Sequence, residues 1–199
     1  GLSPSTTYYY RLRAYDIDGI TGYSNTITVV TAPPSPVATA ATAVNEASFS
    51  ANWGTFAGTT KYYLDVATTS GFTIGTFVAG YGNIDVGNVN SYSVTGLTAN
   101  STYYYRVRSV GPSGAISTSS NTITALTAPL PPVSIAATPV LQTSFTAKWN
   151  ASAGATKYFL DVSTTNTFAS FVAGFNARDV GNVSGYLVSP LTSGSTYYY

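Results

Sequence analysis

The sequence predicts an all-β protein made of tandem sandwich modules. Three observations carry that prediction: a long internal repeat, strict two-residue alternation within each repeat, and the absence of any helical period. Leu2-Ser-Pro-Ser-Thr-Thr-Tyr-Tyr-Tyr10 returns as Leu97-Thr-Ala-Asn-Ser-Thr-Tyr-Tyr-Tyr105 and again as Leu191-Thr-Ser-Gly-Ser-Thr-Tyr-Tyr-Tyr199. The spacings of 95 and 94 residues suit a small sandwich domain and exceed the turn of a solenoid. Trp53 with Trp149, Tyr62 with Tyr158, and Asp85-Val-Gly-Asn-Val89 with Asp179-Val-Gly-Asn-Val183 repeat alongside. A two-residue deletion separates these landmarks, where Phe72 to Phe77 shortens to Phe168 to Phe171, and such changes fall in loops.

Alternation predicts seven strands per module. In the middle copy they begin with a proline-flanked edge around Pro36-Val37. Phe49, Ala51 and Trp53 mark the second strand, and Tyr62, Leu64 and Val66 the third. A short aromatic strand is expected over Phe77 to Tyr81, then one with Tyr92 and Val94 that leads into Leu97. Tyr103, Tyr105 and Val107 give the sixth strand, and Ile123 with Ala125 the seventh. Clusters of Gly, Ser, Asn and Pro separate the runs.

Composition agrees. Hydrophobic residues reach 44%, enough for a packed core, whereas charged residues are only 8% against roughly 25% in an average globular protein. Threonine-rich outer faces on pleated strands produce that balance. A net charge of +1 gives no field for nucleic acid and no polybasic membrane patch. No apolar run is long enough for membrane insertion. Zero cysteines exclude disulfide staples and point to a bacterial exterior.

The proline-rich entry, the Trp53 strand, the aromatic-x-Leu-x-Val third strand and the Leu97 to Tyr103 spacing before Arg106-Val107 resemble fibronectin type III domains. The resemblance covers essentially the whole chain. It implies an immunoglobulin-like sandwich with Trp53, Trp149, Leu97 and Leu191 as structural core, and with Tyr8, Tyr103 and Tyr197 as tyrosine corners. The Tyr-Tyr-Tyr-Arg and Asp-Val-Gly-Asn-Val wording is similar to that of bacterial secreted and cell-surface modules. By this reading residues 1–31 are the last two strands of one module and 32–127 a complete one. Residues 128–199 are a module cut in its sixth strand. Thr31-Ala-Pro-Pro34 and Thr127-Ala-Pro-Leu-Pro-Pro132 are stiff linkers. The chain is then either a window on a longer array or a unit whose ends complement one another across copies.

Candidate sites are few. Without histidine or cysteine no Ser-His or Cys-His pair exists, and no enzyme is expected. Asp65 and Asp161 occupy equivalent outward positions in different modules, so they read as solvated strand residues rather than a glycosidase pair. Asp16-Ile-Asp18-Gly19 is a weak calcium candidate that reads better as a turn, as does Asp85 to Val89. No cofactor is expected. The outward residues Tyr9, Arg11, Tyr63, Tyr104, Arg106, Arg108 and Phe159 form an aromatic and cationic interaction face by strand parity. Cross-strand stabilisation is the alternative role for the same residues. The expected partners are copies of the chain or flanking modules, with surface polysaccharide or protein as further candidates.

Overall fold

The computed structural model describes residues 1–199, contains no helix, and divides into two compact units, Gly1–Ala128 and Pro129–Tyr199. The first unit opens with β1 (Thr7–Tyr10), the short hairpin β2 (Tyr15–Asp16) and β3 (Gly19–Ile20), and β4 (Ile27–Val30). Strands β1 and β4 pair antiparallel with Tyr8 opposite Val29.

A complete sandwich follows. Its strands are β5 (Ala38–Thr42), β6 (Ser48–Trp53), β7 (Lys61–Ala67), β8 (Ile84–Gly87), β9 (Ser91–Thr95), β10 (Thr102–Val110) and β11 (Ile123–Leu126). They form a three-stranded sheet, β5-β6-β9, and a four-stranded sheet, β11-β10-β7-β8. Seven strands in this order are the fibronectin type III sandwich that the sequence motifs imply. Alternate residues of each strand turn inward, so Phe49, Ala51, Trp53, Tyr62, Leu64, Val66, Val94, Tyr103, Tyr105 and Val107 share one core. Phe49 stacks on Tyr105 at 5.8 Å, and Trp53 lies tilted against Tyr62 at the same distance.

The expected fourth strand moves. Phe77 to Tyr81 does not run as a strand but folds against the end of β7, where Val78 N–H donates to Val66 O and Val66 N–H to Tyr81 O, each at 2.9 Å. Gly80, at φ +83°, supplies the left-handed residue that this fold-back needs. The ladder on that edge of β7 is made by β8 instead, from residues expected to be a turn. The turn chemistry survives inside the strand, because Asp85 Oδ1 accepts from Gly87 N–H at 3.0 Å beside a bulge between Tyr62 and Tyr63.

The second unit contains β12 (Val133–Ile135), β13 (Phe145–Asn150), β14 (Tyr158–Leu160), β15 (Arg178–Gly181) and β16 (Gly185–Val188). The sheet β12-β13-β16 repeats β5-β6-β9, and β14-β15 repeats part of β7-β8. Trp149 packs on Tyr158 at 5.6 Å, in the same setting as Trp53. Tyr198 bridges Ser163 through a reciprocal pair of backbone hydrogen bonds.

The tyrosine corner occurs three times. Tyr8, Tyr103 and Tyr197 hydroxyls accept from the backbone N–H of Ser3, Thr98 and Thr192 at 2.8, 2.9 and 2.9 Å. Two residues after each of these donors the chain is left-handed, at Ser5 (φ 49°), Asn100 (φ 48°) and Gly194 (φ 72°). Tyr103 is buried with Leu97, whereas Tyr8, Leu191 and Tyr197 are half-buried.

Replacing Trp53 by Ala should cost about 3–5 kcal/mol in urea titration, the range for deleting a large buried ring. A second expectation concerns alkaline pH. Burial pushes the Tyr105 hydroxyl above its ordinary value of 10.0, opposed by the hydrogen bond from Asn52 N–H. A raised folded-state pKa gives stability that is complete below the unfolded value and lost as pH rises through the folded one. Stability should therefore fall above about pH 10, and Tyr105→Phe should flatten that fall.

Candidate interaction face

Strands β7 and β10 lie side by side in the larger sheet, with Arg106 opposite Asp65 and Arg108 opposite Tyr63. Their outward residues do not project freely as parity suggested. Asp65 is only 2% exposed, which corrects its reading as a solvated strand aspartate. Its Oδ2 accepts from Arg106 Nε at 3.0 Å and Arg108 Nη2 at 3.3 Å, and its Oδ1 from Asn83 N–H at 2.7 Å. Arg108 also donates to Asn83 Oδ1 at 2.8 Å, and the Arg106 guanidinium lies 4.2 Å from the Phe72 ring centre. The arginines are thus folded down over a buried carboxylate. A charge in that position needs this degree of pairing, because desolvation would otherwise exceed the attraction.

A second arrangement recurs in both units. Lys61 Nζ meets Asp85 Oδ2 at 2.7 Å and sits 4.9 Å above Tyr63, while Lys157 meets Asp179 at 2.9 Å and sits 4.7 Å above Phe159. The hydrogen bond from its lysine, with help from Gly87 or Gly181 N–H, holds each of these carboxyls below the usual range. The bond to Asp85, then that to Tyr63, raises Lys61. Tyr63 and Tyr104 are half-buried, and Phe159 is exposed.

In the first 31 residues, Tyr9 and Arg11 are exposed, and Arg11 and Arg13 stack on Tyr23 at 3.4 and 4.3 Å. These arginines correspond by the repeat to Arg106 and Arg108. Asp161, which corresponds to Asp65, is exposed and accepts from Ala177 N–H at 2.5 Å. Asp16 Oδ1 caps its hairpin by accepting from Asp18 and Gly19 N–H, both at 3.0 Å. That carboxylate is engaged in turn formation, and no three acidic or metal-binding side chains come together anywhere.

Sequence reasoning missed Phe72 and Asn83. Both lie in loops and both have positive φ, 49° and 57°. A signal for the first existed, since the Phe72–Phe77 pair is kept as Phe168–Phe171 across the two-residue deletion, and both pairs set their rings 6.4 Å apart.

No family model matches the chain. Over 217 aligned residues it is 31% identical to Exoglucanase B of Cellulomonas fimi, covering all of this chain and 19% of that protein. Among solved structures, a titin multidomain segment aligns with 64% of this chain and 43% of its own at 21% identity and TM-score 0.39. The FN5 domain of Drosophila Lar aligns with 48% of this chain and 97% of its own at 21% identity and TM-score 0.38.

Asp65→Ala should destabilise the middle sandwich by about 2 kcal/mol in urea titration. That is below the loss of about 3–5 kcal/mol for a fully buried pair, because the Arg106 and Arg108 side chains stay 28% and 26% exposed. Asp161→Ala should shift the second unit by less.

Proposed function

We propose that this chain of fibronectin type III modules is a non-catalytic structural segment of a secreted bacterial surface protein. Its modules join head to tail in a stalk, sheath or extracellular filament. The observation that carries this reading is the way the Thr31–Pro34 linker is clamped from both sides. The Thr31 hydroxyl donates to Ser3 O at 2.7 Å and accepts from Thr6 N–H at 2.9 Å, tying the linker to the segment before it. On the other side Pro34 O accepts from the Ser109 hydroxyl at 2.7 Å. Pro33 packs on Gly111 so closely that a Cβ there would stand 3.2 Å from its Cδ. A joint made of proline and held at both ends resists bending, as a load-bearing or spacing element requires. Thr127 makes the same bonds to Thr98 O and Ser101 N–H, so the device recurs.

The similarity to Exoglucanase B supports a second reading, an accessory module beside a polysaccharide-degrading domain. Both readings place the chain outside a bacterial cell.

Small-angle scattering from chains with increasing numbers of repeats separates extended strings from collapsed ones. Maximum dimension should grow linearly with repeat number, and Gly111→Val should make the particles more flexible. Compact particles of unchanged aspect ratio would overturn the stalk reading. Depletion of the chain from solution by insoluble cellulose would favour the accessory role.

A further inference from the structure

We propose that Pro34–Thr42, the end of the linker and the first strand of the middle sandwich, is a releasable strap. It opens before the core does, so the joint is stiff under small loads and lengthens under large ones. The opening itself rests on the sandwich alone, and its loading rests on the head-to-tail reading.

The first observation is how little the strap buries. Strand β5 reads Ala38-Thr39-Ala40-Ala41-Thr42, in which only Ala38 is buried and Ala41 packs on the core from its margin. The neighbouring β6 contributes Phe49, Ala51 and Trp53 to the same core. Apolar stabilisation scales with the area buried. Lifting β5 away therefore uncovers little, whereas lifting β6 away uncovers the centre.

The second is how the strap is fastened. Its register with β6 breaks between Thr39 and Thr42. Within that gap Asn52 Nδ2 donates to Ala40 O at 3.0 Å, and beside it the Tyr105 hydroxyl donates to Thr39 O. On the other side Asn121 takes both backbone groups of Ala38. Its Oδ1 accepts from Ala38 N–H and its Nδ2 donates to Ala38 O, each at 2.9 Å. The Ser109 hydroxyl holds Pro34 O, and the Ser35 and Thr118 hydroxyls bond to each other. The strap thus spans the seam between the two sheets on a row of side-chain hydrogen bonds. Each is worth much less than a buried ring, and all can re-form when load is removed.

The third is where the strap ends. Ala43, the next residue, is left-handed at φ 47° although it carries a Cβ. Release relieves that strain. The linker delivers tension at Pro34, so opening runs from there towards Ala43. It frees nine residues, about 30 Å of extended chain.

Hydrogen exchange on the full chain tests the opening. Gly54 N–H donates to Val37 O at 2.9 Å, so its exchange reports the strap. The amides of the β7–β10 ladder report loss of the whole sandwich. Gly54 should exchange faster than they do, and its rate should stay nearly flat in rising urea while theirs steepens. Asn121 is exposed, and Asn121→Ala removes two hydrogen bonds. At about fivefold for each bond, Gly54 exchange should rise about 25-fold. Retained protection in β7 and β10 shows that the variant folds. Gly54 exchange that matches the ladder in rate and urea slope overturns the proposal, as does exchange unmoved by Asn121→Ala.

Single-molecule pulling tests the loading. The chain has no cysteine, so handles attach through Val29→Cys and Leu130→Cys, both at exposed positions. The expected trace has a short first lengthening and then loss of the core. Asn121→Ala should lower the force of the first event and leave the second unchanged. Loss of the sandwich in one step overturns the proposal, as does an equal fall in both forces. Both signatures with compact scattering would remove the stalk and leave the strap. Extended scattering without them would remove only the strap.

Discussion

The pairing of β7 with β10 is the interaction on which the rest of the structure depends. It forms the middle of the larger sheet, running from Tyr104 opposite Ala67 to Val110 opposite Lys61. Its inner face contributes Tyr62, Leu64, Val66, Tyr105 and Val107, all fully buried. Its outer face holds Asp65 beneath two guanidinium groups. The second unit shows the same sequence pattern without that pairing. There β14 shortens from the Lys61–Ala67 extent of β7 to Tyr158–Leu160, and the equivalent aspartate is exposed.

Around this pair a small set of polar devices recurs, the corner three times and the threonine twice. The corner tyrosine anchors the crossover before the sixth strand, and the threonine closing the seventh strand ties its end to that same crossover. Both put a side-chain oxygen against backbone groups that would otherwise be left unpaired where the chain leaves the sheet. The threonine and the corner tyrosine thus tie the crossover and the end of the seventh strand to each other. Sparse surface charge fits this economy: Asp65 and both Lys–Asp pairs stabilise the sheet locally and leave little net field.

Much of this was legible in the sequence because it repeats. The inward residues of β6, β7, β9, β10 and β11 followed from alternation, and the three corners from a leucine-to-tyrosine spacing. The fourth strand was not legible. Phe77 to Tyr81 has the aromatic content of a strand, yet Gly80 lets it fold back, while Gly87 disguises a true strand as a turn. Parity located Arg106 and Arg108 on the outer face but was silent on where their heads go. That depends on Asn83 and Phe72, loop residues whose positive φ no two-residue period encodes. Which residues serve as an interaction face was therefore the least readable part, since long cationic side chains choose partners only after the sheet exists.

The paired indoles have an optical consequence. Each compact unit contains a single tryptophan, set against one tyrosine at 5.8 Å in the first and 5.6 Å in the second, and both indoles are buried. Burial of these rings should shift their emission to the blue. Substituting either tryptophan silences one unit and leaves the other as the sole long-wavelength emitter. The chain thus has two indole fluorophores, one for each unit, so the unfolding of each can be followed separately in light without any attached dye.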